Sequence, residues 1–482
     1  MKRALYLLSS LMLVFTTSCV DSLDEYNVDV KRPSTVPGVT LVSTAERALA
    51  RTVTSTNVNL NPFRLYVQYW TETTYTDEAN YDVQTRQINN AFWNALYLNA
   101  LGNLNEAKRV IAAEPSAEPN AERAAKIKAN QQACVEILSV YTWKTLVDTY
   151  GNIPYTEALD FTKPLPKYDD AKTIYASLFT RLDAALAALD NTAPGLGTAD
   201  IIYGGDIVHW RKFGNSLKLR MALTIADDDE PKARAAAEQA APNVFTSSAD
   251  NATFAFISAQ PNTNPLYEDL VVSNRQDFVG ASTFVDVLNT LNDPRLGIYF
   301  KPQAPGLYVG GVYGSLNDAA DFSLPGERLD DPTLPGVLLT YSEVEFLLAE
   351  ARERGFAVGG TPTSHYNAAV TASILEVGGT ATEAADYLAR PAVAYTTAAG
   401  TYRQKIGFQK WISLYEQPVI AWTEWRRLDS PSLVKPANAL SDIPKRFPYP
   451  TPELNQNGAN VAEASAAMGG NTVSTKIFWD KL

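Results

Sequence analysis

Apolar residues return every three or four positions in five separate stretches of this chain, and no other feature narrows its possible folds so far. Ile127, Cys134, Leu138 and Tyr141 share one face between Glu122 and Tyr150. Ile174, Leu178, Leu182, Ala185 and Leu189 do the same behind Asp169 and Asp170, acids that suit a helix N-terminus. Val344, Leu347, Leu348 and Ala351 mark a third helix. Phe408, Ile412, Tyr415, Val419 and Trp422 mark a fourth, which Pro418 is expected to bend. Ile88, Phe92, Ala95 and Leu96 open a long helix toward Val110. Such spacing buries one stripe of each helix against a neighbour, so the expectation is a mainly α protein of stacked helix pairs.

Tetratricopeptide arrays are built this way, although no clean repeat with their consensus residues is present. Between the helices lie stretches too rich in proline, glycine and polar residues for long helices: Asn191 to Gly205, Ala259 to Asn264, Lys301 to Pro335 and Pro391 to Gly400. Thr253 to Phe256 alternates weakly, as a short strand does. Long loops on a rigid scaffold are where ligands are sought, giving a helix-pair scaffold with a loop-rich ligand-binding face.

The N-terminus reads as an export signal. Lys2 and Arg3 precede an uncharged, mainly apolar run from Ala4 to Phe15, then Thr16, Thr17, Ser18 and Cys19. The run is shorter than the roughly 20 residues that span a bilayer. Cys19 stands where a bacterial lipobox places its acylated cysteine, although Thr16 replaces the usual leucine. The alternative is a signal peptide without lipid. Asp21, Asp24 and Glu25 follow, then a polar, proline-broken stretch to Gly38 that reads as a tether. The expected organisation is a signal at 1–18, a lipidated tether at 19–38 and one helical domain at 39–482.

Composition excludes several classes. A formal net charge of −12 and a pI near 4.9 repel phosphate backbones, so no nucleic-acid partner is expected. With Cys19 as anchor, Cys134 is alone and no disulfide framework exists. Its helical pattern marks it as a small core residue.

Three segments carry a resemblance. The first runs Trp143-Lys144-Thr145-Leu146-Val147-Asp148-Thr149-Tyr150-Gly151-Asn152-Ile153-Pro154-Tyr155-Thr156-Glu157-Ala158, where Gly151 suits a left-handed helix end and Pro154 stops the helix. The second runs from Trp422-Thr423-Glu424-Trp425-Arg426-Arg427 to Pro431. The third is Arg446-Phe447-Pro448-Tyr449-Pro450, followed by Glu453, Asn457 and the terminal Phe478-Trp479-Asp480. In this order, behind a lipoprotein signal, they resemble the SusD/RagB family of nutrient-binding outer-membrane lipoproteins. The resemblance implies a SusD-like helical fold and a glycan or peptide ligand. It also implies a SusC-like TonB-dependent outer-membrane transporter as partner and lipid-anchored residence on the outer membrane, facing the exterior. Individually, the motif residues read as fold determinants: Arg426 and Arg427 suit a helix C-terminus, and Trp143, Trp411, Trp422 and Trp425 suit packing.

Catalytic signatures are absent. The chain has two histidines, His209 and His365, without an HExxH partner, and there is no GxSxG, GxxxxGK[ST], CxxC or GxGxxG after a strand. No catalytic residue, metal ligand or cofactor is assigned. A glycosidase needs two acids across a cleft, so a surface glycan hydrolase with an unrecognised carboxylate pair is the competing reading. Asp227, Asp228, Asp229 and Glu230 form the densest acidic run and read as helix N-terminal charge, with a divalent cation as the alternative. Asp77, Glu78 and Asp82 form a second group.

The aromatic residues are more suggestive, because flat rings stack on sugar faces and pack peptide side chains. Trp70, Tyr75, Asp77 and Tyr81, in an irregular loop mixing rings with amides, hydroxyls and acids, are the first candidate ligand contacts. Tyr308 and Tyr313, near Gly310, Gly311 and Gly314, are the second. Plain packing of connecting loops is the competing reading for both.

Overall fold

A computed structural model describes residues 36–482, and Cys19 with the signal before it and the acids behind it lies outside them. The folded unit from Gly38 to Leu482 is built on helices. In chain order the main ones are α1 (Gly38–Thr54), α2 (Ile88–Asn94), α3 (Gly102–Ala113), α4 (Ala121–Tyr150), α5 (Ala171–Ala188) and α6 (Ile207–Thr224). They continue with α7 (Glu230–Ala240), α8 (Ser282–Leu291), α9 (Tyr341–Glu353), α10 (Pro362–Glu376), α11 (Tyr402–Ser413) and α12 (Pro418–Leu428).

Helix starts follow side-chain chemistry. Asn120, Asp170, Asp229, Thr340 and Thr361 each accept a hydrogen bond from a backbone N–H in the first turn of α4, α5, α7, α9 and α10. Each such cap satisfies a donor that the helix leaves free and contributes about 1 kcal/mol. Neighbours in sequence then pack on one another: α3 on α4, α4 on α5, α5 on α6, α6 on α7, α9 on α10 and α11 on α12. These are the helix pairs that the periodicity implies. α6 also packs on α9, and α9 on α11, which joins the pairs into one body.

Two details differ from the sequence reading. The fourth periodic stretch is two helices: α11 ends at Ser413, a tight turn spans Leu414–Glu416, and α12 starts on Pro418. A proline in the first turn of a helix lacks an N–H that would have had no partner there, so it begins a helix as readily as it bends one. The stretch from Ile88 is continuous, but Ala95–Leu101 between α2 and α3 is wound as a wider π turn.

Among the described residues six short strands form three antiparallel pairs, β1 (Trp70–Glu72) with β5 (Phe278–Gly280), β2 (Ile153–Pro154) with β3 (Tyr168–Asp169), and β4 (Ala252–Phe254) with β6 (Gly336–Leu339). β4 falls where weak alternation suggested a strand.

The three motif segments meet in space. Asp148, buried near the end of α4, takes Lys144 as its ion partner and accepts from the Tyr175 hydroxyl at 2.5 Å and the Trp479 indole at 3.0 Å. Arg426 donates to the Asp148 carbonyl at 2.8 Å and lies over the rings of Trp422 and Trp479, 3.5 and 4.8 Å from their centres. Phe447 donates to Thr149, Arg446 to the Tyr150 carbonyl, and Tyr449 to the Asn152 carbonyl. Arg427 pairs with Glu350 at 2.5 Å and Glu424 at 2.6 Å, and Lys410 with Glu424 at 2.7 Å, all fully buried. The two arginines therefore bridge helices, beyond the helix-terminus role that sequence gave them. Cys134 is completely buried, and burial pushes its thiol pKa up.

Candidate ligand-binding site

The loop-rich face grows from the β1–β5 pair. Trp70 pairs with Gly280 and Glu72 with Phe278, and all three residues of β1 are buried. Trp70 is therefore inside: its ring lies 5.4 Å from Phe278, its indole N–H donates to the Tyr415 hydroxyl at 2.7 Å, and 1 % of it is exposed. Tyr81, at a left-handed φ of 70°, packs edge-on against Tyr66, and Tyr313 donates its hydroxyl to the Leu65 carbonyl at 2.7 Å. Both are buried. As they stand, these three rings present no open face for a ligand to stack on; backbone pairing and an aromatic core took them up.

The other candidates reach the surface. Tyr75 projects with 67 % of its surface exposed. Asp77 is exposed beside Arg86, at 3.4 Å. Tyr308 is half-buried, its hydroxyl crowding Gly297, where an added Cβ would come within 2.9 Å.

Three distant segments are tied into one surface around Tyr75. Asn317 donates its backbone N–H to the Thr73 carbonyl and its side-chain amide to the Glu72 carbonyl. Asn80 donates to the Gly314 carbonyl at 2.8 Å, and Leu440 donates to the Asn80 carbonyl at 2.9 Å. The face so assembled carries the exposed side chains of Tyr75, Val312, Leu316, Val434 and Leu440.

Beside it opens a cavity of about 640 Å³. Thr283, Val287 and Leu291 of α8 form one wall, Gln404, Lys405 and Phe408 of α11 another, and Asp429 to Leu433 a third. Gln68 links cavity and loop face: its carbonyl oxygen accepts from Thr283 at 2.9 Å, and its amide donates to the Val434 carbonyl at 2.8 Å. Trp411, at the base, is held by its indole N–H on the Val67 carbonyl at 2.9 Å. The lining thus combines three rings, half-buried Phe408 with buried Trp411 and Tyr366, with the amides of Gln404 and Gln409, an ammonium group, hydroxyls and one acid, Asp429. Apolar walls with a few polar groups suit a ligand with both flat apolar faces and hydroxyls.

Sequence reading missed this cavity. Phe408 was counted as core because it fits the helical stripe, yet Gln404 lies one turn earlier on the same stripe, an amide and a ring side by side. That pairing was the available signal. Asp429 ends α12 at a left-handed φ of 50°, within the second of the segments singled out in the sequence.

The acidic groups are accounted for differently. Asp227 is clasped by Arg354 and Arg403 at 2.9 and 2.6 Å, and Asp228 by Lys172 and Lys481 at 2.8 and 2.7 Å. Asp229 caps α7, as helix N-terminal charge predicts. Protein cations already neutralise this run. His209 stacks on Tyr203 and pairs with Asp206 at 2.9 Å, and His365, in the first turn of α10, meets Glu345 at 2.6 Å.

The fold has relatives. The chain belongs to the SusD-like family described as starch-binding and associating with the outer membrane, whose model matches residues 30–450. Among solved structures it is similar to a chitin-binding protein, with 27 % identity and a TM-score of 0.79 over 92 % of this chain and 100 % of that one. A SusD homologue from Bacteroides uniformis is 25 % identical, with a TM-score of 0.75 over 92 % of this chain and 99 % of its own. A chitin-binding SusD homologue from Flavobacterium johnsoniae shares the fold at 22 % identity, with a TM-score of 0.76 over 92 % of this chain and 98 % of that one. Among curated proteins, none matches.

Proposed function

We propose that this protein captures a glycan on its loop-rich face and performs no covalent chemistry on it. The carrying observation is the cavity between α8, α11 and the Asp429–Leu433 segment, lined by three rings, two amides, one ammonium group, hydroxyls and a single acid. A two-carboxylate hydrolase needs a facing pair of acids, roughly 5 to 9.5 Å apart, and Asp429 has no second acid across this lining. Membership of a starch-binding family and likeness to a chitin-binding protein favour a glycan over a peptide.

The same reading places the protein at the outer membrane through a lipid on Cys19, facing the exterior, where it hands its ligand to a SusC-like TonB-dependent transporter. Among the described residues no helix is long and apolar enough to cross a membrane, so attachment of this kind calls for an anchor. Calorimetry with malto-oligosaccharides, chito-oligosaccharides and mixed peptides tests the ligand class, with chromatography of each mixture afterwards. Binding of a glycan series without shortened products is expected. Gln404→Ala should weaken it by about tenfold or less, the scale of one hydrogen bond. Peptide binding alone, or release of shortened sugars, would overturn the reading.

A further inference from the structure

A second cavity, of about 260 Å³, lies between the β4–β6 pair, the end of α10 and the turn that joins α11 to α12. Thr253 and Val337, register partners across the two strands, turn the half-buried face of the pair toward it. Gln417, just before α12, also lines it, with 5 % of its surface exposed. The amide oxygen of Gln417 is buried without a hydrogen-bond partner, and its nitrogen reaches the Thr340 hydroxyl at 3.5 Å, too long for a strong bond. A buried amide left in this way costs stability unless something outside the chain meets it. The cavity is distinct from the larger one. Arg295, fully buried, donates to Ser373 on this lining at 2.8 Å and to Gln409 on the other at 3.2 Å, and so stands between them.

The charged groups around the cavity already have partners. The Glu376 carboxylate accepts from Ser248 and Asn251 at 3.1 Å and from the Ser342 hydroxyl at 2.7 Å. Glu416 accepts from Arg328 Nε at 2.7 Å. Two acids against one guanidinium disfavour an anion. What stands unmet is a neutral amide, beside the hydroxyls of Thr253 and Ser413 and the aliphatic walls of Pro335, Val337 and Val377. Neutral donors and acceptors next to a C–H surface match a hydroxylated carbon skeleton. Among the described residues no aromatic ring lines the cavity, so a flat aromatic ligand finds nothing to stack on. Drug-sized ligands fill about 300–1,000 Å³, so this space takes something smaller, about the size of one sugar ring.

We infer that this cavity is a second binding site, for a small neutral polyol the size of one sugar unit, with the Gln417 amide as its principal hydrogen-bonding group. The amide oxygen accepts from a ligand hydroxyl, Thr253 and Ser413 supply further polar contacts, and the C–H face of the ligand lies on Val337 and Val377. The site is independent of the glycan reading of the larger cavity, which depends on other residues.

Calorimetry of the full chain with neutral monosaccharides, glycerol and inositol at millimolar concentration tests this. The wild type should bind at least one of them. Gln417→Leu removes the amide and keeps the bulk, so it should melt at or above the wild-type temperature without ligand, yet bind about tenfold or more weakly. Thr253→Val, equal in shape and half-buried, should also weaken binding, and it carries the test if Gln417→Leu fails to fold. Gln404→Ala, in the larger cavity, should leave this binding unchanged. Failure of every neutral probe to bind would overturn the site and leave the amide to water. Binding that Gln404→Ala abolishes and Gln417→Leu leaves intact would overturn it in favour of the larger cavity, and binding of glucosamine alone would overturn it in favour of a cation.

Discussion

Tyr75 and Trp70 are five residues apart and have opposite fates. Trp70 fills the aromatic core beside Phe278 and Tyr415, so Trp70→Ala should cost about 3–5 kcal/mol, read as a lower melting temperature. Tyr75→Ala should leave melting unchanged and weaken glycan binding by about tenfold or less, since a stacked ring adds on the order of 1 kcal/mol. Equal effects of the two substitutions on melting would show that Tyr75 is packed. Glu424 offers a test by pH. Burial opposes its ionisation, but Arg427 and Lys410 prevail and hold its carboxyl well below the usual carboxylate range. A depressed pKa contributes stability that is complete above the unfolded value of about 4.3 and fades as pH falls below it. Acid melting curves of Glu424→Gln should therefore be flatter below about pH 4 than those of the wild type. At neutral pH the variant should be less stable by about 3–5 kcal/mol, because Lys410 and Arg427 lose a buried partner.

Among the elements, helices were legible, and of the strands only β4 left a trace in the sequence. Ile174, Leu178 and Leu182 are all buried along α5, as their spacing requires, and Asp170 begins that helix as its cap. β1 left no such trace: three residues buried throughout show no alternation, and its partner β5 lies some 200 residues later in the chain. Pro418 was ambiguous for a physical reason, being equally at home in a bend and in a first turn. Of the contacts proposed from sequence in the Trp70–Asp82 loop, Tyr75 and Asp77 are exposed, but the cavity itself was not legible. Its walls come from α8, α11 and the turn after α12, and only the tertiary fold brings those together. The turn after α4 tests how far local geometry was read correctly. Gly151 has a φ of 83°, and an added Cβ would lie 2.4 Å from the Met468 sulfur. Gly151→Ala should lower stability by more than about 1 kcal/mol through strain and crowding, and a melting temperature equal to wild type would show that the turn relaxes freely.

For the whole molecule, the decisive fact is how far apart in sequence the joined parts lie. Asp148 gathers Lys144, Tyr175 and Trp479 around one carboxylate, and the Gln68 amide closes on the Val434 carbonyl across 366 positions. Asp148→Asn should therefore destabilise the molecule as a unit: one cooperative transition, shifted to lower temperature, with helicity and tryptophan fluorescence lost together. Separate transitions would mean that the helix pairs fold independently. The long-range closure also sets an order of events. A chain made from its N-terminus reaches α7 with its helices begun but not locked, because Asp148 has no Trp479 and Gln68 no Val434 to hold, and the third wall of the cavity does not exist, until the last tenth of the chain arrives. Under the proposed function, capture is thereby timed to the end of synthesis, and a stalled or clipped chain carries no finished face to compete with intact copies.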